Sequence, residues 1–134
     1  MVRSRLIKTP SQFVLSRLSR HLYQDFVAKA RARGFSFVRF QDFLPGRAPL
    51  PRRYIALRHD IDFAPSYSVE MAELEAAGGI KSTFFVLVDG QFYNSLQPEI
   101  IHQLRRIHSL GHDIGLHFAA SSAVEADLGP QQTC

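Results

Sequence analysis

Phe84-Phe85-Val86-Leu87-Val88 is apolar at every position. No other feature of the chain narrows its fold as much. A strand that faces water on one side alternates apolar and polar residues, because successive side chains point to opposite faces. A strand that is apolar throughout has both faces covered, as in a parallel sheet packed against helices. The flanking segments fit that arrangement. Upstream, Ser68 to Ala77 carries Val69, Met71, Ala72 and Leu74–Ala76, which predicts a helix. Pro65 is placed for its first turn and Gly78-Gly79 ends it. Downstream, Pro98 opens a second helix whose Ile100, Ile101, Leu104, Ile107 and Leu110 keep a helical period, with Gly111 at its end.

Two further strands complete the pattern. Tyr54–Leu57 reads as a short strand running into Arg58-His59-Asp60-Ile61-Asp62, Ile80–Val88 holds the apolar run, and His112–Phe118 is the third. Strand-helix-strand-helix-strand with short connections implies parallel strands and right-handed crossovers. The expected class is therefore α/β, with about three parallel strands.

An amphipathic helix precedes this unit. Over residues 11–33, Val14, Leu18, Leu22 and Phe26 form an apolar stripe, widened by Leu15, Tyr23, Val27 and Ala30. Ser11 and Gly34 suit its ends. Phe35, Phe37 and Val38–Phe40 suggest a short extended piece. Leu44–Arg53 holds Pro45, Gly46, Pro49 and Pro51 and reads as a linker. The expected organisation is a basic helical extension and linker over 1–53, an α/β unit over 54–120, and a polar, disordered tail over 121–134.

The charge is split along the chain. Residues 1–53 hold 12 Lys/Arg against 2 Asp/Glu, and residues 54–134 hold 4 against 10. A basic half can hold an anionic partner such as nucleic acid or a membrane surface. It can equally be a solvated helix face beside an acidic site. A basic patch alone carries no specificity, so no nucleic-acid partner is expected. No apolar run approaches the roughly 20 residues of a transmembrane helix. Met1–Pro10 lacks the apolar core of a secretory signal, so a cytoplasmic location is expected. Cys134 is the sole cysteine, so no internal disulfide can form.

In parallel α/β folds, ligands bind beyond the carboxyl ends of the strands. Asp60 and Asp62 stand at such an end, two apart and so on one face of an extended segment. Two adjacent carboxylates repel, and a divalent cation between them relieves the repulsion. His117, near the end of the third strand, can supply an imidazole. Alternation puts it with Asp113 and Gly115, opposite His112, Ile114 and Leu116. The plainer readings are a helix cap for Asp62 and a hydrogen-bonded histidine for His117. His21, His102 and His108 lie on helices and read as surface residues.

Three segments carry a family resemblance: Arg58-His59-Asp60-Ile61-Asp62, Ser82-Thr83-Phe84-Phe85-Val86, and Gly111-His112-Asp113-Ile114-Gly115-Leu116-His117-Phe118. In order and spacing they resemble successive motifs of the polysaccharide deacetylases, the NodB-homology group. The resemblance spans about residues 54–118. It implies part of a distorted (β/α) barrel and a hydrolase that removes N- or O-acetyl groups from a sugar or polysaccharide, using a divalent metal, zinc above all. Under it Asp60 matches the general base, and Asp62 and His117 match metal ligands. His59 and His112 take supporting positions. The family's second metal histidine would fall at residue 121, which is Ser121, and nothing after Phe118 matches its later motifs, those of the substrate arginine and the general acid. The resemblance therefore implies a barrel cut short after its second motif. Such a chain is expected to be weak or inactive alone and to self-associate through open sheet edges. The alternative is a non-catalytic remnant that binds carbohydrate or pairs with another chain.

Overall fold

The computed structural model describes residues 10–62, 65–88 and 91–118, and side chains from residue 19. It contains three α-helices and two small sheets in a mixed α/β arrangement. Contacts group the chain into two units, one around the first helix with Pro51–Arg53, the other of Phe37–Leu50 and the chain from Tyr54.

Helix α1 spans Pro10–Ala32. Its buried positions are Val27 and Ala30, with Tyr23 half-buried, whereas Leu22 and Phe26 are 62% and 44% exposed. The stripe read from sequence through Leu22 and Phe26 is therefore not the buried face. The reason is geometric. Steps of four residues advance about 40° beyond a full turn each time, so a strict four-residue series winds off any one face. Tyr23, Val27 and Ala30, spaced four and three, stay together. Val14 and Leu18 lie where side chains are not described. The helix closes through Gly34 at φ +80°, with the Phe35 amide on the Ala30 carbonyl. The Arg53 guanidinium donates to the Arg33 carbonyl at 2.9 Å, a cation at the negative end of the helix dipole.

Strand β1 (Ser36–Val38) and strand β2 (Tyr54–Ala56) form a two-stranded sheet. A 3-10 turn over Phe40–Phe43 follows β1, in place of a strand continuing to Phe40. Strand β3 is Arg58–Ile61, separated from β2 at Leu57. The sequence placed a short strand at Tyr54–Leu57 running into Arg58–Asp62. The Leu57 carbonyl accepts from the Thr83 amide at 3.1 Å, and the chain passes from one sheet to the other.

Strand β4 (Thr83–Leu87) pairs in parallel with β3 on one side and with strand β5 (Asp113–His117) on the other, in the order β3-β4-β5. Helix α2 (Pro65–Ala77) and helix α3 (Pro98–Ser109) make the two crossovers. Ile61, Ala72, Phe84, Val86 and Ile107 form the buried core, with Val69, Met71, Tyr93, Leu104, Leu110 and Ile114 against it. Phe84 is completely buried, which contributes about 1.5–3 kcal/mol relative to an exposed ring. No closed barrel exists among the described residues.

The other face of the sheet carries Arg58, Asp60, Phe85 and Gly115. Register sets Asp60 across from Phe85 and Phe85 across from Gly115. The 3-10 segment covers the start of this face. The Phe40 amide donates to Thr83 Oγ1 at 3.1 Å, and the Arg39 guanidinium donates to the Gly111 carbonyl at 3.3 Å. The Gln41 amide donates to Asp113 Oδ1. The C-terminal ends of the strands, where the acidic residues stand, lie beyond this cover.

Candidate metal site at the strand ends

Asp62 follows β3 directly and His117 ends β5. Their side chains meet, with Asp62 Oδ1 3.4 Å from His117 Nδ1. Neither atom has a hydrogen-bond partner among the described residues, and both are shielded from solvent. Shielded polar atoms without partners are rare, since each forfeits the hydrogen bonds it had in water. Two arrangements resolve the pair. A protonated imidazole would make it an ion pair, though the two atoms are not aligned for a hydrogen bond. A cation would use both atoms as ligands. Zinc bonds of about 2.0–2.1 Å at a tetrahedral angle set neighbouring ligand atoms about 3.4 Å apart. The observed separation is the one two ligands of a shared divalent ion would have.

Asp60 stands apart from that pair. Its Oδ1 accepts from Arg58 Nε at 2.7 Å, and the Arg58 guanidinium lies 4.4 Å over the Phe85 ring. Phe85 also meets the edge of Phe40 at 5.5 Å between centroids. Asp60 is thus a carboxylate whose direction is fixed by an arginine resting on an aromatic platform. Among the described residues, no group of three or more His, Cys, Asp or Glu side chains gathers as a metal cage. Asp62 and His117 come together, and Asp60 is held beside Arg58. Ser121 lies outside the described residues.

His59 and His112 point into the helix-covered face. His59 stacks on Phe84 at 4.6 Å, and its Nε2 meets Glu75 Oε1 at 2.7 Å. His112 Nδ1 accepts from the Ser82 amide at 3.1 Å. The proton is therefore on Nε2, which donates to the Ala72 carbonyl at 2.9 Å. Ser82 Oγ donates to the remaining Glu75 oxygen. Glu75, Ser82 and His112 are fully buried. The network ties α2 to β3, to the entry of β4 and to the entry of β5. Its two histidines hold the scaffold rather than reaching the strand ends. His21, His102 and His108 are exposed.

Two participants escaped the sequence reading. Glu75 was legible in principle, as a lone acid inside Leu74-Glu75-Ala76 on the apolar side of a helix, which needs buried partners. Tyr93 gave no signal. Its hydroxyl donates to the Ile61 carbonyl and accepts from the Leu87 amide at 3.0 Å, pinning the ends of β3 and β4 together beside Asp62. Burial pushes the Tyr93 hydroxyl above its ordinary pKa, the Leu87 amide opposes this, and the nearby Asp62 charge adds to the rise.

No protein-family model, no curated protein and no solved structure matches this chain. No helix among the described residues is long and apolar enough to cross a membrane.

Proposed function

We propose that the chain is a metal-dependent deacetylase-like protein acting on acetylated sugars, with a fold derived from the first part of a (β/α) barrel. The observation that carries this reading is the Asp62–His117 pair, two ligand-type atoms left without partners at the separation a zinc ion requires. Support also comes from three parallel strands in sequential order, with the acidic residues at their C-terminal ends.

A divalent cation on Asp62 and His117 would polarise an acetyl carbonyl and acidify water. The remaining chemistry belongs to side chains of this protein. Asp60, hydrogen-bonded to Arg58, would accept a proton from the attacking water. Arg58 restricts the carboxylate to one direction. Departure of the sugar amine or alkoxide needs a general acid, and no described side chain is assigned to that step. The second reading, a non-catalytic binding remnant, is favoured by the lack of a third ligand among the described residues.

Zinc calorimetry on the full chain tests the reading. Asp62→Ala and His117→Ala should each weaken binding at least about tenfold. Zinc affinity unchanged in both would remove the metal site. Zinc binding with no acetate released from an acetylated glycan would favour the non-catalytic alternative.

A further inference from the structure

Leu22 and Phe26 stand one turn apart on α1, and both are exposed. A lone exposed leucine is ordinary on a protein surface. The setting of this pair is not. Lys29 and Arg33, also exposed, continue the series at spacings of three and four, which keeps all four residues on one side of the helix. We propose that this side of α1 binds the surface of an anionic membrane, with the helix lying in the plane of the headgroups.

Charge supplies the attraction. The unit of Met1–Ser36 with Pro51–Arg53 holds ten Lys/Arg and one Asp/Glu, against six and eleven in the rest of the chain. Among its described side chains, Arg20, Lys29, Arg31, Arg33, Arg52 and Arg53 are exposed, and Asp25 is the one acid. Cations gathered in this way are drawn to negative headgroups, and each one near the surface adds to the binding.

Leu22 and Phe26 decide between anionic partners. A nucleic-acid backbone satisfies the cations but gives a leucine nothing to leave water for. A lipid surface answers both. Its phosphates meet the guanidinium and ammonium groups, while the alkyl and aromatic side chains sink to the boundary of the acyl chains. The Tyr23 ring, 6.5 Å from that of Phe26, adds an apolar body with a polar tip, the kind suited to headgroup level. Val27 and Ala30, the buried residues of α1, lie with Tyr23 about a quarter-turn round the helix from the proposed side, at 100° per residue. The contact therefore leaves the packed side of α1 in place. No helix among the described residues is long and apolar enough to cross a membrane, so the contact is interfacial.

Co-sedimentation of the full chain with lipid vesicles tests the proposal. Vesicles of phosphatidylcholine mixed with phosphatidylglycerol should bind it at least about tenfold more tightly than phosphatidylcholine alone, and added salt should weaken the binding. The chain has no tryptophan, so Phe26→Trp and Leu22→Trp each give a single reporter. Their emission should shift to the blue on the mixed vesicles and be quenched by brominated acyl chains. Leu22→Ser with Phe26→Ser should weaken binding about tenfold with the helical circular dichroism retained. Asp62→Ala should leave it unchanged, which separates this surface from the metal site. Three outcomes would overturn the proposal. One is equal binding, or none, with the two kinds of vesicle. Another is binding to the mixed vesicles while both tryptophans still emit as in water, which would leave a contact of charge alone. The last is tighter binding of duplex DNA or of polyglutamate than of the mixed vesicles at the same salt.

Discussion

Gly115 lies directly across from Phe85 in the pairing of β4 with β5, and a Cβ at residue 115 would stand 2.6 Å from the Phe85 ring. Nothing larger than hydrogen fits there while the ring keeps its place. The ring is also confined, by the Phe40 edge and by the Arg58 guanidinium above it. Gly115→Ala should therefore destabilise the fold by about 1–3 kcal/mol through overpacking. Urea unfolding measures this. Phe85→Leu combined with Gly115→Ala should recover part of the loss, and strict additivity of the two would mean that the ring is not the obstacle.

The same displacement should reach Asp60. If the ring moves, Arg58 loses its platform, and the carboxylate loses the group that orients it. Phe85→Leu should leave zinc affinity unchanged, because Asp62 and His117 lie beyond the ring, while acetate release falls about tenfold or more. A parallel fall in zinc affinity would show that Asp60 and the metal pair are a single unit.

Buried and exposed ionic contacts should separate cleanly on mutation. Ser82→Ala leaves one oxygen of the fully buried Glu75 without its hydroxyl donor. An orphaned buried acceptor costs about 1–3 kcal/mol, more when it is charged. Arg106→Ala removes an exposed pair with Glu73 at 3.1 Å, and exposed pairs contribute about 0–1 kcal/mol. Thermal unfolding of the two variants should rank them in that order. The reverse order would mean that the Ser82–Glu75 hydrogen bond does not anchor the network.

These contrasts show which parts of the structure the sequence carried. The apolar run Phe84–Val88 implied a central strand, which β4 is, but only its Phe84 and Val86 face lies in the buried core, Phe85 and Leu87 are half-buried and Val88 is 43% exposed. The glycines and prolines bounded α2 and α3, since local backbone chemistry decides those features. The pairing of Asp62 with His117 also followed, because alternation and strand order bring the ends of β3 and β5 to one side. Three things did not follow. Asp60 and Asp62 take different partners, because the Arg58 side chain can reach the first and the chain turns after the second. Of the stripe read along α1, Tyr23, Val27 and Ala30 are its covered part and Leu22 and Phe26 are not, because a four-residue series looks periodic in sequence but spirals in space. Tyr93 was invisible, since its role depends on a loop folding back over two strand ends.

Tyr93 gives the fold a dependence on alkaline pH. Its hydroxyl is protonated in the folded state beyond the ordinary pKa of 10.0. A pKa raised by folding contributes stability that is present below the unfolded value and lost as pH rises through the folded one. Stability should therefore fall above about pH 10 as the hydroxyl ionises. Tyr93→Phe should cost about 0.5–1.5 kcal/mol near neutrality, from the lost bonds to Ile61 and Leu87. It should also flatten the alkaline limb. Urea titrations between neutral pH and pH 11 measure both, and an equally steep limb in the variant would assign the loss to another group.

The sheet should also control association. Among the described residues β3 and β5 each have one neighbour, β4, so their outer edges present unpaired amides and carbonyls. Edges of this kind recruit other strands unless charge, proline or a bulge protects them. β5 has little such protection. Leu116 is 63% exposed, and Ile114-Gly115-Leu116 lies between Asp113, already bonded to Gln41, and His117. β3 is better guarded, because Arg58 and Asp60 alternate along it. Pairing should therefore run through β5, and the chain should elute as an oligomer in size-exclusion chromatography. Leu116→Lys should shift it towards monomer, because two such edges cannot approach with like charges opposed. A charge on β3 at Arg58→Glu should shift it little. Hydrogen exchange supplies the decisive reading. In the oligomer the outward amides of β5 should exchange more slowly than in Leu116→Lys, while β4, paired on both sides, stays protected in each. A sharp monomer peak for the unaltered chain would mean that the β5 edge is covered within the molecule.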